Sequence, residues 1–367
     1  MNVEDQKNRL LSWYAVMKDQ DFEKADKMKL EITNEEQKFS DFDLKALYKL
    51  MVARYHLMYK ELEKFSSAIA EVDPDEDNEQ YWLNYFYSLF RGIYHFERRE
   101  YRLALDFYNK ARMLNHNIGL IESAELYYRI GVCCHRIYRV TLSIHYFTKA
   151  KEIYKKESDF KKLAFCENGL GINSKDIFQY ADAEKHYHQA LIFVEKSNDA
   201  YLKPIVLNNI GVFYTHQSKP KLAIDYLKQA QIHLKNYHDR VFQCKIQYLL
   251  ARNYFAIDEV ETAKNLLESG IQFTKDNSND LYYYYRFSLL KAKFVSPANF
   301  KESYQEAISY FKRIGEWELV IEYGEELAHY FGGIEQYKEA YEYLRLATES
   351  RYTMNKERAL HGEESIA

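Results

Sequence analysis

Residues 171–190 read GINSKDIFQYADAEKHYHQA, and residues 211–230 read GVFYTHQSKPKLAIDYLKQA. Laid over one another they share a pattern. A small residue comes first, a second small residue twelve positions on, a large apolar one at sixteen and another small one at nineteen. The sets are Gly171, Ala183, Tyr187 and Ala190, then Gly211, Ala223, Leu227 and Ala230. Two antiparallel helices approach closely only where small side chains occupy the crossing, and a large residue one turn later fills the groove beside it. This stretch therefore predicts a helical hairpin of tetratricopeptide type, in a proline-poor form.

Working outward, the same offsets recur about every forty residues. Gly92, Ala104, Tyr108 and Ala111 form the first set, and Gly131, Ser143, Phe147 and Ala150 the second. Ala251, Ala263, Leu267 and Gly270 form the fifth. A sixth unit around Tyr283 to Arg313 is degenerate, and a seventh returns with Ala328, Ala340, Leu344 and Ala347. A single hairpin cannot bury both its apolar faces, so the units are expected to stack into a superhelical solenoid.

The first seventy residues do not carry the repeat. Helices are expected over 4–18, 21–36 and about 42–66, making an N-terminal three-helix bundle over 1–68. The segment AEVDPDEDNEQ at 70–80 holds six acids and a proline and has almost nothing to bury, which predicts an acidic linker over 69–80. The repeat domain is placed at 81–352 and a polar, fraying tail at 353–367. The fold class is all-α: a three-helix bundle followed by a seven-repeat tetratricopeptide solenoid.

Composition agrees. Across 367 residues there are only 4 prolines and 12 glycines, so few helix breakers, and 35 tyrosines suited to half-wet interhelical seams. The formal charge of -4 is interspersed, with no basic stripe for nucleic acid. No apolar run is long enough for a membrane span, and the polar opening MNVEDQKNRLLSWY has no signal core. Cys133, Cys134, Cys166 and Cys244 include no CxxC pair. A reducing, cytoplasmic setting is expected.

No phosphate loop, zinc spacing or nucleophile elbow appears, so neither cofactor nor metal is expected. His186 and His188 stand two apart on a helix and face different ways. Glu325 and Glu326 read as a solvated helix face, and Tyr282 to Tyr285 as interhelical packing. The informative polar residues lie in the first helices of the middle repeats, which line the inner channel of such arrays. Asn173 and Asp176 are three apart and share a face. Asn208 and Asn209 precede the Gly211 anchor. An asparagine there can bracket one peptide bond of an extended ligand with its amide. Asp176 can pair with a basic side chain of that ligand. Asn173, Asp176, Asn208 and Asn209 are the candidate peptide-binding residues.

Several segments together resemble the Rap proteins of bacilli, the response regulator aspartate phosphatase family. They are LLSWYAVMKDQDFEKAD (10–26), YKLMVARYHLM (48–58), NYFYSLFRGIYHFERREYRLALDFYNKA (84–111) and residues 121–154. GINSKDIFQYADAEKHY and LNNIGVFY continue the resemblance in the middle repeats. It implies a cytoplasmic regulator whose partners are a response regulator protein and a short re-imported signalling peptide. The peptide would bind the channel, compact the array and release the target. Asn173, Asp176 and Asn209 fall on family positions associated with peptide binding.

One departure bears on catalysis. Phosphatase members carry a glutamine six residues before the tyrosine that matches Tyr48, to orient water on the partner's phospho-aspartate. Here that position is Phe42, and a phenyl ring cannot orient water. Gln37 could substitute only if the loop has slipped. The leading expectation is action by sequestration, with a displaced-glutamine phosphatase or a general tetratricopeptide scaffold as alternatives.

Overall fold

The computed structural model describes residues 3–34, 39, 42–72, 81–114, 119–197, 199–234, 239–276 and 281–363. Among them every element is helical. Two compact units, residues 1–158 and 159–367, are described in turn.

The first unit opens with α1 (Val3–Lys18), α2 (Phe22–Thr33), α3 (Phe42–Met58) and α4 (Leu62–Ala70). Two hairpins follow, α5 (Tyr81–Glu97) with α6 (Tyr101–Met113), and α7 (Leu120–Arg136) with α8 (Val140–Lys156). Leu10, Trp13, Tyr14 and Met17 form the buried stripe of α1. The Trp13 indole N–H donates to the Ala25 carbonyl at 3.0 Å and ties α1 to α2. Deeper in, Glu125 pairs with Arg129 at 2.8 Å and accepts from the Tyr154 hydroxyl at 3.3 Å. Burial draws the Arg54 guanidinium down to about 10.

The second unit holds five hairpins: α9 (Phe160–Asp176) with α10 (Tyr180–Ser197), α11 (Leu202–His216) with α12 (Pro220–Leu234), α13 (Arg240–Phe255) with α14 (Val260–Asp276), α15 (Leu281–Phe294) with α16 (Phe300–Arg313), and α17 (Trp317–Gly333) with α18 (Tyr337–Glu363). The first helices α9, α11, α13 and α15 pack in succession, each also against its own second helix.

The anchors behave as the offsets require. A Cβ on Gly171 would stand 2.8 Å from two ring carbons of Tyr187, and one on Gly92 at 2.5 Å from two of Tyr108. The turns use a device the sequence did not advertise. Lys60, Arg99, Tyr138, Phe178, Ser218, Asp258 and Glu335 all sit at φ between 55° and 63°. The next residue's N–H then reaches back five residues, as Glu61 does to the His56 carbonyl at 2.9 Å and Gln179 to Ser174 at 2.8 Å. This left-handed closure satisfies the last carbonyls of the first helix. After α16 the same closure is made with a glycine, Gly315, at φ 75°.

Several expectations need correction. The helix expected over 42–66 is two, because Lys60 turns the chain at φ 58°. Residues 69–70, assigned to the linker, end α4, and Val72 is buried; 73–80 lie outside the described residues. The boundary placed at 353 falls inside α18, which runs on to Glu363. The degenerate sixth unit carries a 3-10 turn, Pro297–Asn299, between α15 and α16. In the seventh, Leu344 is exposed and Tyr343 packs on Phe331 of α17 instead, while Ala340 and Ala347 are buried as expected. Glu325 and Glu326 are engaged rather than merely solvated. Arg351 pairs with Glu325 at 2.5 Å and Lys293 with Glu326 at 2.9 Å. The Tyr282–Tyr285 run packs as expected, with Tyr282 edge-on to Phe311 and Tyr285 against Tyr310.

Candidate functional site

The polar residues singled out in the middle repeats all fall in the second unit, on α9 and α11. Two aspartates fix the starts of these helices. Asp159 accepts from the Lys162 N–H at 3.0 Å. Asp199 accepts from the N–H groups of Tyr201 and Leu202 at 3.0 and 2.9 Å and pairs with Lys161 at 2.8 Å. Burial pushes the Asp199 carboxyl up, but Lys161 and the two N–H donors outweigh it and hold the group below the usual carboxylate range.

Between the helices runs a ladder of amides. Asn208 donates to the Asn209 carbonyl oxygen at 3.2 Å, and Asn209 donates to that of Asn168 at 3.0 Å. Asn208 and Asn168 are buried, Asn209 partly so. The Asn208 oxygen is buried with no hydrogen-bond partner among the described residues. Each amide oxygen has two lone pairs and each amino group two hydrogens. Asn209 therefore keeps one acceptor and one donor site in hand while its neighbours fix its orientation. Asn173 lies on the last turn of α9, fully buried. The structure thus joins Asn208 to Asn209 directly.

Asp176, at the end of α9, is paired with its neighbour Lys175 at 2.7 Å. Lys175 and Asp176 both act on His216, which ends α11. Its pKa is lowered first by burial away from water, then by Lys175 and Arg252, with Asp176 and Glu318 opposing. Arg252 of α13 pairs with Glu322 at 3.5 Å. Arg286 of α15 lies over the Tyr248 ring at 4.1 Å. The last turns of α9, α11 and α13 therefore present an acid, then a histidine, then an arginine, while Arg286 lies within α15.

Reasoning from sequence missed Asn168, Asn253, His216, Arg252 and Arg286. A signal existed for the first two. Asn168 stands three before Gly171 as Asn208 stands three before Gly211, and Asn253 stands two after Ala251 as Asn173 stands two after Gly171. Asn253 donates to the Thr215 hydroxyl at 2.8 Å, tying α13 to α11. His186 is not a ligand candidate but a partner of Glu167, at 2.6 Å. No group of metal-ligating side chains occurs among the described residues.

No family model matches the sequence. Along its length, however, it is similar to several curated proteins. It is 25% identical over 353 residues to the transcriptional activator NprA of Geobacillus stearothermophilus, covering 93% of this chain and 86% of that one. It is 24% identical over 364 residues to response regulator aspartate phosphatase I of Bacillus subtilis (strain 168), covering 95% and 91%. Its curated relatives are Rap proteins and NprA, matched along most of the chain. A solved Rap protein complexed with competence and sporulation factor has the same fold, with a TM-score of 0.79 at 22% identity over 96% of this chain and 99% of that one.

Within the Rap family's pattern, the position expected to hold the catalytic glutamine is Phe42. It is the first residue of α3 and is 73% exposed. Gln37 lies outside the described residues. No described helix is long and apolar enough to cross a membrane.

Proposed function

We propose that this Rap-family regulator binds a response regulator, holds it by sequestration, and releases it when a short signalling peptide occupies the first-helix face of residues 159–367. The observation that carries the peptide reading is the amide ladder. It holds Asn209 in one orientation and leaves it one donor and one acceptor, the complement of one peptide bond. A relative whose fold matches is solved with competence and sporulation factor bound, and another is named for acting on response regulators. A peptide with a basic side chain meets Asp176 after displacing Lys175, and its carboxylate end meets Arg252 and Arg286. Phe42 supports sequestration over hydrolysis, since an exposed phenyl ring orients no water.

Calorimetry with a basic pentapeptide tests the site. Asn209→Ala removes one bracketing pair and is expected to weaken binding by about 1 kcal/mol, roughly fivefold. Asp176→Ala costs about 0.5–1 kcal/mol, since the carboxylate is partly exposed. Lys175→Met removes the cation that competes for Asp176 and strengthens binding of the same peptide. Unchanged affinity in all three variants means the peptide does not bind here. A pulldown of bacillar response regulators, with and without peptide, tests the partner. Capture of none removes the sequestration reading.

A further inference from the structure

Between α4 and α5 lies a cleft of about 560 Å³, in the unit of residues 1–158 and separate from the amide ladder. Ile69 and Val72 form its apolar wall. Tyr87, Arg91 and Tyr94 face them from one stripe of α5, and Arg98 follows in the turn just past its end, at spacings of four, three and four. His95 and Glu100 close one end.

The polar groups in this cleft are almost all donors. The Tyr94 hydroxyl accepts from the Ser66 hydroxyl and from an Arg98 guanidinium nitrogen, each at 2.9 Å. Both lone pairs are then used, and its own hydrogen remains to be given. Those bonds, Ser66 first, hold its pKa below the usual phenol value against the opposing effect of burial. The Arg91 Nε and the His95 Nε2 are buried and make no hydrogen bond among the described residues. Arg91 lies over the Phe107 ring at 5.0 Å, His95 stacks on that ring at 5.2 Å, and Lys110 reaches it at 5.5 Å. The carboxylate lining the cleft is Glu100, already held by His95 at 2.6 Å and Arg98 at 2.9 Å. Guanidinium forks match the oxygens of a tetrahedral oxyanion, and such an anion accepts more bonds than a carboxylate. The volume exceeds what one oxyanion fills and continues along Ile69, Val72 and Tyr87.

We propose that this cleft binds a phosphate monoester carrying a small apolar body. Its phosphate takes hydrogen bonds from Arg91, the Tyr94 hydroxyl and Arg98. Its body lies against Ile69, Val72 and Tyr87. This does not rest on the peptide reading, and either can fail alone.

Titrate the full chain with phenyl phosphate, inorganic phosphate and benzoate in separate calorimetric runs at constant ionic strength. Phenyl phosphate gives a saturable one-to-one isotherm. Inorganic phosphate, lacking the body, binds several-fold more weakly, and benzoate about tenfold more weakly for want of the third oxygen. Arg91→Gln and Arg98→Gln each weaken phenyl phosphate about tenfold, and Tyr94→Phe several-fold, with unchanged helical circular dichroism. Arg313→Gln, on α16, leaves it unaltered. The proposal is overturned by no saturable heat, by equal affinity in Arg91→Gln, Arg98→Gln and Tyr94→Phe, or by benzoate matching phenyl phosphate. It is also overturned if binding appears only after Asp75, Glu76 and Asp77 are changed to their amides. The cleft would then belong to the chain's own carboxylates.

Discussion

Replacing Gly171 with alanine isolates the contact that closes a hairpin. On helix propensity alone the change should stabilise α9 by about 1 kcal/mol, since glycine is the poorer helix former. The structure opposes this. The new methyl would stand 2.8 Å from the Cδ1 and Cε1 of Tyr187, well inside van der Waals contact. The ring cannot swing away, because Tyr187 is 1% exposed and packs on Phe213 with centroids 5.5 Å apart. Overpacking of this kind costs about 1–3 kcal/mol, so the net expectation is a loss of about 0–2 kcal/mol after the propensity gain. Within the chain, the fifth repeat pairs Ala251 with Leu267, both buried. Tyr187→Leu should accordingly relieve part of the Gly171→Ala defect, giving a coupling of about 1 kcal/mol in a double-mutant cycle. Urea unfolding followed by circular dichroism reads the stability. Gly332→Ala is the control, because nothing lies within 4 Å of the Cβ it adds and propensity alone should prevail. If Gly171→Ala stabilises as much as Gly332→Ala, the anchor argument is wrong.

Other outcomes follow from the turns and the caps. Phe178 turns the α9–α10 hairpin at φ 62° with its side chain 76% exposed, so Phe178→Gly should raise stability by up to about 1 kcal/mol in the same urea assay. A decrease would show that the ring matters more than the backbone. The Asp199 carboxyl is depressed, so its contribution is present above the unfolded value of about 3.9 and is lost as pH falls through the lower folded value. Wild type should therefore exceed Asp199→Asn in stability at pH 7, and the two should converge in acid. A gap that stays constant down to pH 2 would mean that Asp199 acts only as a neutral cap.

The hairpins were legible because the physics that makes them fixes offsets in the chain. A helix crossing needs a small residue opposite a large one, so Gly92 with Tyr108 and Gly131 with Phe147 declare themselves at a separation of sixteen. The break after Met58 was not legible. It rests on a left-handed Lys60, and lysine carries no mark of that conformation as glycine would. The same holds at Arg99 and Phe178. In the site, Asn208 and Asn209 stood out beside their anchor, but their bond to Asn168 spans 41 residues and follows from helix rotation rather than local spacing. The pairing of Lys175 with Asp176 was equally hidden, since adjacent residues on a helix usually diverge and only side-chain reach brings these together.

The ladder from Asn208 through Asn209 to Asn168 has a direction, and directions cannot be reversed piecemeal. Turn the Asn209 amide by half a revolution and its amino group confronts that of Asn208, while its oxygen confronts that of Asn168. Each confrontation forfeits a bond in a place largely closed to water, so all three amides turn or none does. Two helices forty residues apart in sequence are thereby locked to a common sense, like teeth of meshed gears. A chain lying across Asn209 is read vectorially: the same residues threaded backwards present a carbonyl where the ladder offers an oxygen.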